Sequence, residues 1–113
     1  MTQTVPDFSR VGVLVAGDVM LDEYWFGPTS RISPEAPVPV VRVTGSEARA
    51  GGAANVARNL TALDIPTELF GIVGRDIAAN QLRKLLLEQH IGCDGLLASA
   101  ARLSAMATSI APR

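Results

Sequence analysis

The stretch "TELFGIVGRDIAANQLRKLLLEQH", Thr67 to His90, carries two elements in succession. "TELFGIVG" is a short, mostly apolar run bounded by glycine, which reads as a buried strand. "DIAANQLRKLLLEQH" reads as a helix whose first amides are capped by Asp76. Upstream, "VGVLVAGD" (11–18) is a nearly continuous apolar, β-branched run of the kind buried on both faces of a parallel sheet. Between the two runs, Ala53, Val56, Ala57, Leu60 and Leu63 recur at helical spacing, so a helix is expected from Gly52 to about Leu63. "CDGLLAS" opens a third strand. Strands alternating with helices of this length make βαβ units with right-handed crossovers, and so an α/β fold.

The remaining chain fits that frame unevenly. Residues 24–43, "YWFGPTSRISPEAPVPVVRV", hold too many prolines for a helix, although "VPVVRV" suits an edge strand. Tyr24, Trp25 and Phe26 are adjacent, so on a strand they face both sides, one toward a site and one toward another chain. The tail from Ala98 to Arg113 is rich in alanine and weakly periodic, and no strand is expected after Leu97. Three strands are few for a doubly wound sheet, so the chain reads as the front of a larger domain.

Composition narrows the function. A chain of 113 residues, 48% hydrophobic, makes one domain at most and has enough apolar matter for a core. Its net charge of -1 removes the main argument for nucleic acid or an anionic membrane as partner. The single cysteine, Cys93, forms no internal disulfide and suits a reducing cytoplasm. The start lacks a basic segment, and the apolar run before Asp18 is too short for a signal or a membrane span.

Two segments carry chemistry. In "GDVMLD", Asp18 and Asp22 flank a short apolar turn at the carboxyl end of the first strand, where open α/β sheets bind ligands. Carboxylates accept strong hydrogen bonds from sugar hydroxyls. Equally, Asp18 caps a turn and Asp22 is a solvated charge. In "ARAGGAANVARNL" (48–60), Gly51 and Gly52 at the helix entrance imply a close approach to the backbone by a ligand, or else tight helix packing. Asn55, one turn in, offers a neutral donor and acceptor suited to hydroxyls, or lies on the surface. Neither a Walker A loop nor a G-x-G-x-x-G fingerprint is present. His90 closes the second helix and is assigned no chemistry, and Cys93 reads as a small buried hydrophobe.

Together, "GDVMLDEYWFGPTSRISPEAPVPVVRV" and "GGAANVARNL…GIVGRD" resemble the ribokinase-like (phosphofructokinase B) carbohydrate kinases from about Phe8 to Leu97. Within that family the segment "TSRISPEAPVPV" is similar to the branch that pairs a heptose 7-phosphate kinase with an adenylyltransferase domain. The family signature falls on Gly51, Gly52, Asn55 and Gly74, and Asp64 stands where the pattern has Gly or Ser. The resemblance implies a Rossmann-like parallel sheet with helices on both faces and a small β lid, incomplete here. The lid is expected at about 23–50 and a divergent tail at about 98–113. It implies that Gly51 and Gly52 lie against the sugar, with Asp18, Asp22 and Asn55 bonding its hydroxyls. Arg31 and Glu35 in the lid become candidates for the substrate phosphate and hydroxyls. The complete enzyme would use ATP and Mg2+ to phosphorylate O1 of heptose 7-phosphate, on the route to ADP-heptose and lipopolysaccharide core, in the cytoplasm, as a homodimer joined through the lid. The family's carboxyl-terminal "GAGD"-like motif, with the catalytic base and anion hole, does not occur here, so no catalytic residue is expected in this chain. The functions left open are a kinase portion inactive by itself and a non-catalytic sugar-binding or dimerisation module. The tail reads as a truncation or a shifted frame.

Overall fold

The computed structural model describes residues 4–8 and 10–112. Its elements run β1 (Val13–Ala16), β2 (Val19–Gly27), β3 (Thr29–Ile32), β4 (Pro39–Val41), β5 (Gly45–Gly52), α1 (Ala53–Ala62), β6 (Thr67–Gly74), α2 (Ile77–Glu88), β7 (Leu96–Ser99) and β8 (Ala105–Pro112). β1, β6 and β7 form a parallel sheet with β6 in the centre, Val13 opposite Thr67 and Gly71 opposite Leu96. This is the α/β arrangement expected from the alternation of runs.

On β6 the period of two separates the faces: Thr67, Leu69 and Val73 are buried, while Glu68, Phe70 and Ile72 are exposed. The buried face meets both helices, through Ala54 and Ala57 of α1 and Ala78, Ala79, Leu82 and Leu86 of α2. Small residues on α1 let the helix approach the sheet closely, and the leucines of α2 fill the remaining volume. Both described helices therefore lie on one side. The other side leaves Leu14, Phe70, Ile72 and Leu97 open to solvent, with Leu97 63% exposed. Molecular shape follows from this. The extents are 57 × 51 × 20 Å, and 20 Å is one sheet layer plus one helix layer. The radius of gyration, 17.9 Å, exceeds the value of about 13 Å for a compact chain of this length.

A second sheet, β5-β2-β8, stands beside the first. β2 and β5 are antiparallel, with Val19 opposite Gly52 and Asp22 opposite Arg49, and β8 runs parallel to β2. Val19, Leu21 and Ala50 turn one face of its base into the common core. The β3–β4 hairpin extends the ribbon, joined to it by Thr44 N–H donating to Phe26 O (3.0 Å) and Arg42 N–H to Pro28 O (3.2 Å).

Two expectations change here, and one segment left unassigned becomes a strand. Val19 to Gly27 is one continuous strand, so Asp22 sits within β2 and no turn separates it from Asp18. The chain before the glycine pair, "GSEARAGG", is a strand. The tail is a strand too, Ala105–Pro112, held by pairing with β2 and not by any periodicity of its own.

Both helices stop in the same way. Asp64 (φ 60°) and His90 (φ 58°) adopt left-handed backbone, with Ile65 N–H donating to Leu60 O (3.1 Å) and Ile91 N–H to Leu86 O (3.0 Å). These are the six-to-one bonds of a Schellman ending. The departure at Asp64 from the family's small residue is thus accommodated, because aspartate tolerates this conformation better than most residues.

Candidate functional site

The site is built where β1, β2, β5 and α1 meet. β1 ends at Ala16, and after Gly17 and Asp18 the chain enters β2 at Val19. The Asp18 carbonyl accepts from Ala53 N–H at 2.8 Å, so the chain leaving β1 holds the first residue of α1. Gly52 is the N-cap at φ 60°, ψ -133°, a region essentially closed to L side chains. A Cβ there would also overlap the Asp18 carbonyl oxygen. No side chain caps α1, and a helix start leaves its first amides without intrahelical partners. Asn55 is exposed on that first turn.

Gly51 is buried, and a Cβ on it would collide with the Asp22 carboxylate. The glycine pair therefore does mark a close approach, but its nearest occupants are the chain's own Asp18 and Asp22. Asp22 lies on the face of β2 shared with Met20, Tyr24 and Phe26, opposite the face that Val19 and Leu21 bury. Its Oδ1 is buried and has no hydrogen-bond partner among the described residues. The cation paired across the ribbon is committed elsewhere. Arg49 bonds Glu47 from Nη2 (3.1 Å) and Nε (3.2 Å), and its guanidinium lies 5.0 Å from the Tyr24 ring centroid. The hydrogen bond and charge of Glu47 raise the Arg49 pKa, although both side chains are half exposed. Arg49 escaped sequence reading because its signal, pairing with Asp22, exists only once 45–52 is a strand.

The structure brings Asp18, Gly51, Gly52 and Asn55 together, with Asp22 against Gly51. It does not bring Arg31 and Glu35 to them. Both are exposed in the hairpin, and the path along β2 from Asp22 to Gly27 alone spans about 17 Å. Glu35 N–H donates to Ser33 Oγ at 3.3 Å, a local turn contact. A groove of about 490 Å³, lined by Gly12, Glu68 and His90 among others, lies at the opposite, amino-terminal end of the parallel strands and has no part in this site. Cys93 is partly buried against the core, which pushes its thiol pKa up, as a packing residue requires.

The molecule thus sets Asp18 just past the carboxyl end of β1, and Asp22 and Asn55 beside it, where a parallel α/β sheet meets a β ribbon. Residues 12–111 match the pfkB family carbohydrate kinases, and the chain belongs to that family. It is 63% identical over 87 residues to the "Bifunctional protein HldE" of Histophilus somni (strain 129Pt), covering 77% of this chain and 18% of that protein. It is 58% identical over 94 residues to the HldE of Shigella dysenteriae serotype 1 (strain Sd197), covering 83% and 20%. The chain thus spans about a fifth of the length of these curated relatives. Among solved structures, a carbohydrate kinase from Agrobacterium tumefaciens superposes with a TM-score of 0.71 at 20% identity, over 91% of this chain and 32% of that one. A ribokinase from Cryptococcus neoformans var. grubii serotype A, in complex with ADP, gives 0.61 at 27%, over 87% and 30%.

Proposed function

We propose that this chain is the sugar-binding portion of an ATP-dependent kinase that phosphorylates O1 of heptose 7-phosphate, on the route to ADP-heptose and lipopolysaccharide core. The observation that carries the reading is Asp22: a buried carboxylate oxygen without a partner, set against a glycine and facing away from the core. Such an atom is costly unless a donor arrives, and sugar hydroxyls are donors. Asp18 and Asn55 stand at the same end to complete the hydroxyl contacts. The choice of heptose 7-phosphate rests on the likeness of "TSRISPEAPVPV" to the heptose branch and on the identity to the HldE proteins. Arg31 and Glu35 reach this sugar only if the β3–β4 hairpin folds down over it.

In our reading ATP and Mg2+ serve the complete enzyme, and this chain supplies the sugar side. No three His, Cys, Asp or Glu side chains converge among the described residues, and the sequence holds no GAGD-like loop. What these residues do is bind and orient the acceptor sugar. Transfer needs a base and an anion hole supplied by other residues of the complete enzyme. The lid, about 23–50, joins two subunits in our reading, with Trp25 exposed on it. No described helix is long and apolar enough to cross a membrane, and we place the protein in the cytoplasm, where ATP is at hand.

Calorimetric titration of the chain with heptose 7-phosphate tests the assignment. Binding should weaken about ten- to a hundredfold in Asp22→Asn, the worth of one charge-assisted hydrogen bond. Equal affinity in parent and variant would remove Asp22 from the site.

A further inference from the structure

We propose that Asp76 is a positioning residue for the sugar site: through Ser104 it fixes where β8 begins, and so the register of β8 beside the strand that carries Asp22. Asp76 caps α2, its Oδ1 accepting from Ala79 N–H at 2.9 Å. A cap needs no more than that. Yet the same Oδ1 accepts from Ser104 Oγ at 2.7 Å, and Oδ2 accepts from Ser104 N–H at 2.8 Å. The Ser104 hydroxyl in turn accepts from Gly74 N–H at 2.9 Å. One carboxylate thus ties the start of α2, the end of β6 and the residue before β8. Gly74 keeps the passage open, because a Cβ there would press on Arg102 O and Ser104 N, each at 2.7 Å.

β8 starts at the next residue, and its partners on β2 follow in order: Ala105 with Met20, Ala107 with Asp22, Ile110 with Trp25. Nothing within β8 selects that register. Its sequence, "AMATSIAP", has no charge, and Met106 to Ile110 are exposed on both faces. A slip of one residue would exchange its faces. The clamp at Ser104 supplies the missing constraint, three residues before the partner of Asp22. Its value for sugar binding rests on the function proposed above, whereas its hold on β8 does not.

The test separates the two. Asparagine caps helices as well as aspartate, so Asp76→Asn keeps the bond from Ala79 but turns an amide donor toward Ser104 N–H. Trp25, the only tryptophan, reports on β8 because it pairs with Ile110. In the 113-residue chain, Asp76→Asn and Ser104→Ala should each raise acrylamide quenching of Trp25 while leaving helical circular dichroism unchanged. Ser104→Thr, which retains the hydroxyl, should restore the parent value. Affinity for heptose 7-phosphate should fall about two- to tenfold in the first two variants, the range for a neutral hydrogen bond. Unchanged Trp25 quenching in both Asp76→Asn and Ser104→Ala overturns the proposal. A parent chain that binds no heptose 7-phosphate defeats the proposed function, and Trp25 then decides the clamp.

Discussion

Replacing Gly52 by alanine should cost this chain a large share of its stability, and no second side-chain change should restore it. Three costs combine. The backbone at φ 60°, ψ -133° strains an L residue by about 1–3 kcal/mol. The new Cβ overlaps the Asp18 carbonyl oxygen, an overpacking of about 1–3 kcal/mol. Moving that oxygen loosens its 2.8 Å bond from Ala53 N–H, worth about 0.5–1.5 kcal/mol. The sum, about 2.5–7.5 kcal/mol, compares with about 5–15 kcal/mol for whole domains. Gly52→Val should be only slightly more damaging than Gly52→Ala, since φ and Cβ already do most of the harm. Gly51→Ala is the control, because the nearest atoms its Cβ meets belong to the Asp22 side chain and not to backbone. Pairing Gly51→Ala with Asp22→Ala should recover about 1–3 kcal/mol; pairing Gly52→Ala with Asp18→Ala should recover nothing, since the obstacle is backbone. Urea unfolding followed by circular dichroism measures all five variants. Rescue of Gly52→Ala by Asp18→Ala, or a loss below about 0.5 kcal/mol, would refute the geometry.

Leu86→Ala should lower stability by about 2–5 kcal/mol, because Leu86 is fully buried, whereas Leu87→Ala, at a residue 69% exposed, should stay within about 0.5 kcal/mol; the same urea titration compares them. Asp64→Gly and His90→Gly should each stabilise by about 0.5–1 kcal/mol, the left-handed penalty of about 1–2 kcal/mol less the entropy glycine adds to the unfolded chain; unfolding midpoints that do not rise would argue against both Schellman endings. Asp76 has its pKa lowered by bonds from the Ser104 backbone, the Ser104 hydroxyl and Ala79. Its stabilisation is therefore complete above the ordinary value of 3.8 and is lost as pH falls through the lower folded value. Asp76→Asn should reduce the difference between urea midpoints at neutral and acid pH, and an unchanged acid dependence would contradict the clamp.

How much of this was legible in the sequence depends on what holds each element. β6 and α2 were legible because their residues carry the information: a buried alternation in "TELFGIVG" and a capping aspartate that the structure seats on Ala79. β5 and β8 were not. "GSEARAGG" has few strand-forming residues and Met106 to Ile110 of β8 bury neither face, so both become strands by pairing with β2. That is a tertiary cause, and no local window contains it. The glycine pair was legible as a place of close approach. That its nearest occupants are Asp18 and Asp22 required the fold, because Asp22 reaches Gly51 only across a ribbon whose second strand was unread. Arg31 and Glu35 came from the family likeness alone, and nothing in the ribbon draws them to Asp22.

The pairing of β8 with β2 also has a kinetic meaning. Met20 and Ala105 are partners 85 residues apart, whereas Met20 and Gly51 are 31 apart. Loop length alone separates the two closures by only about 0.9 kcal/mol. A larger difference comes from what must already exist. Asp76 can receive Ser104 only after α2 has formed on β6, and that contact closes a loop of 28 positions, shortening the one left for β8. We therefore expect β8 to dock last in folding and to leave first in unfolding, so that its amides exchange faster than those of β5. On that order the three-stranded sheet that carries Asp22 would be completed at the end of the folding reaction, by the segment with the least structure of its own.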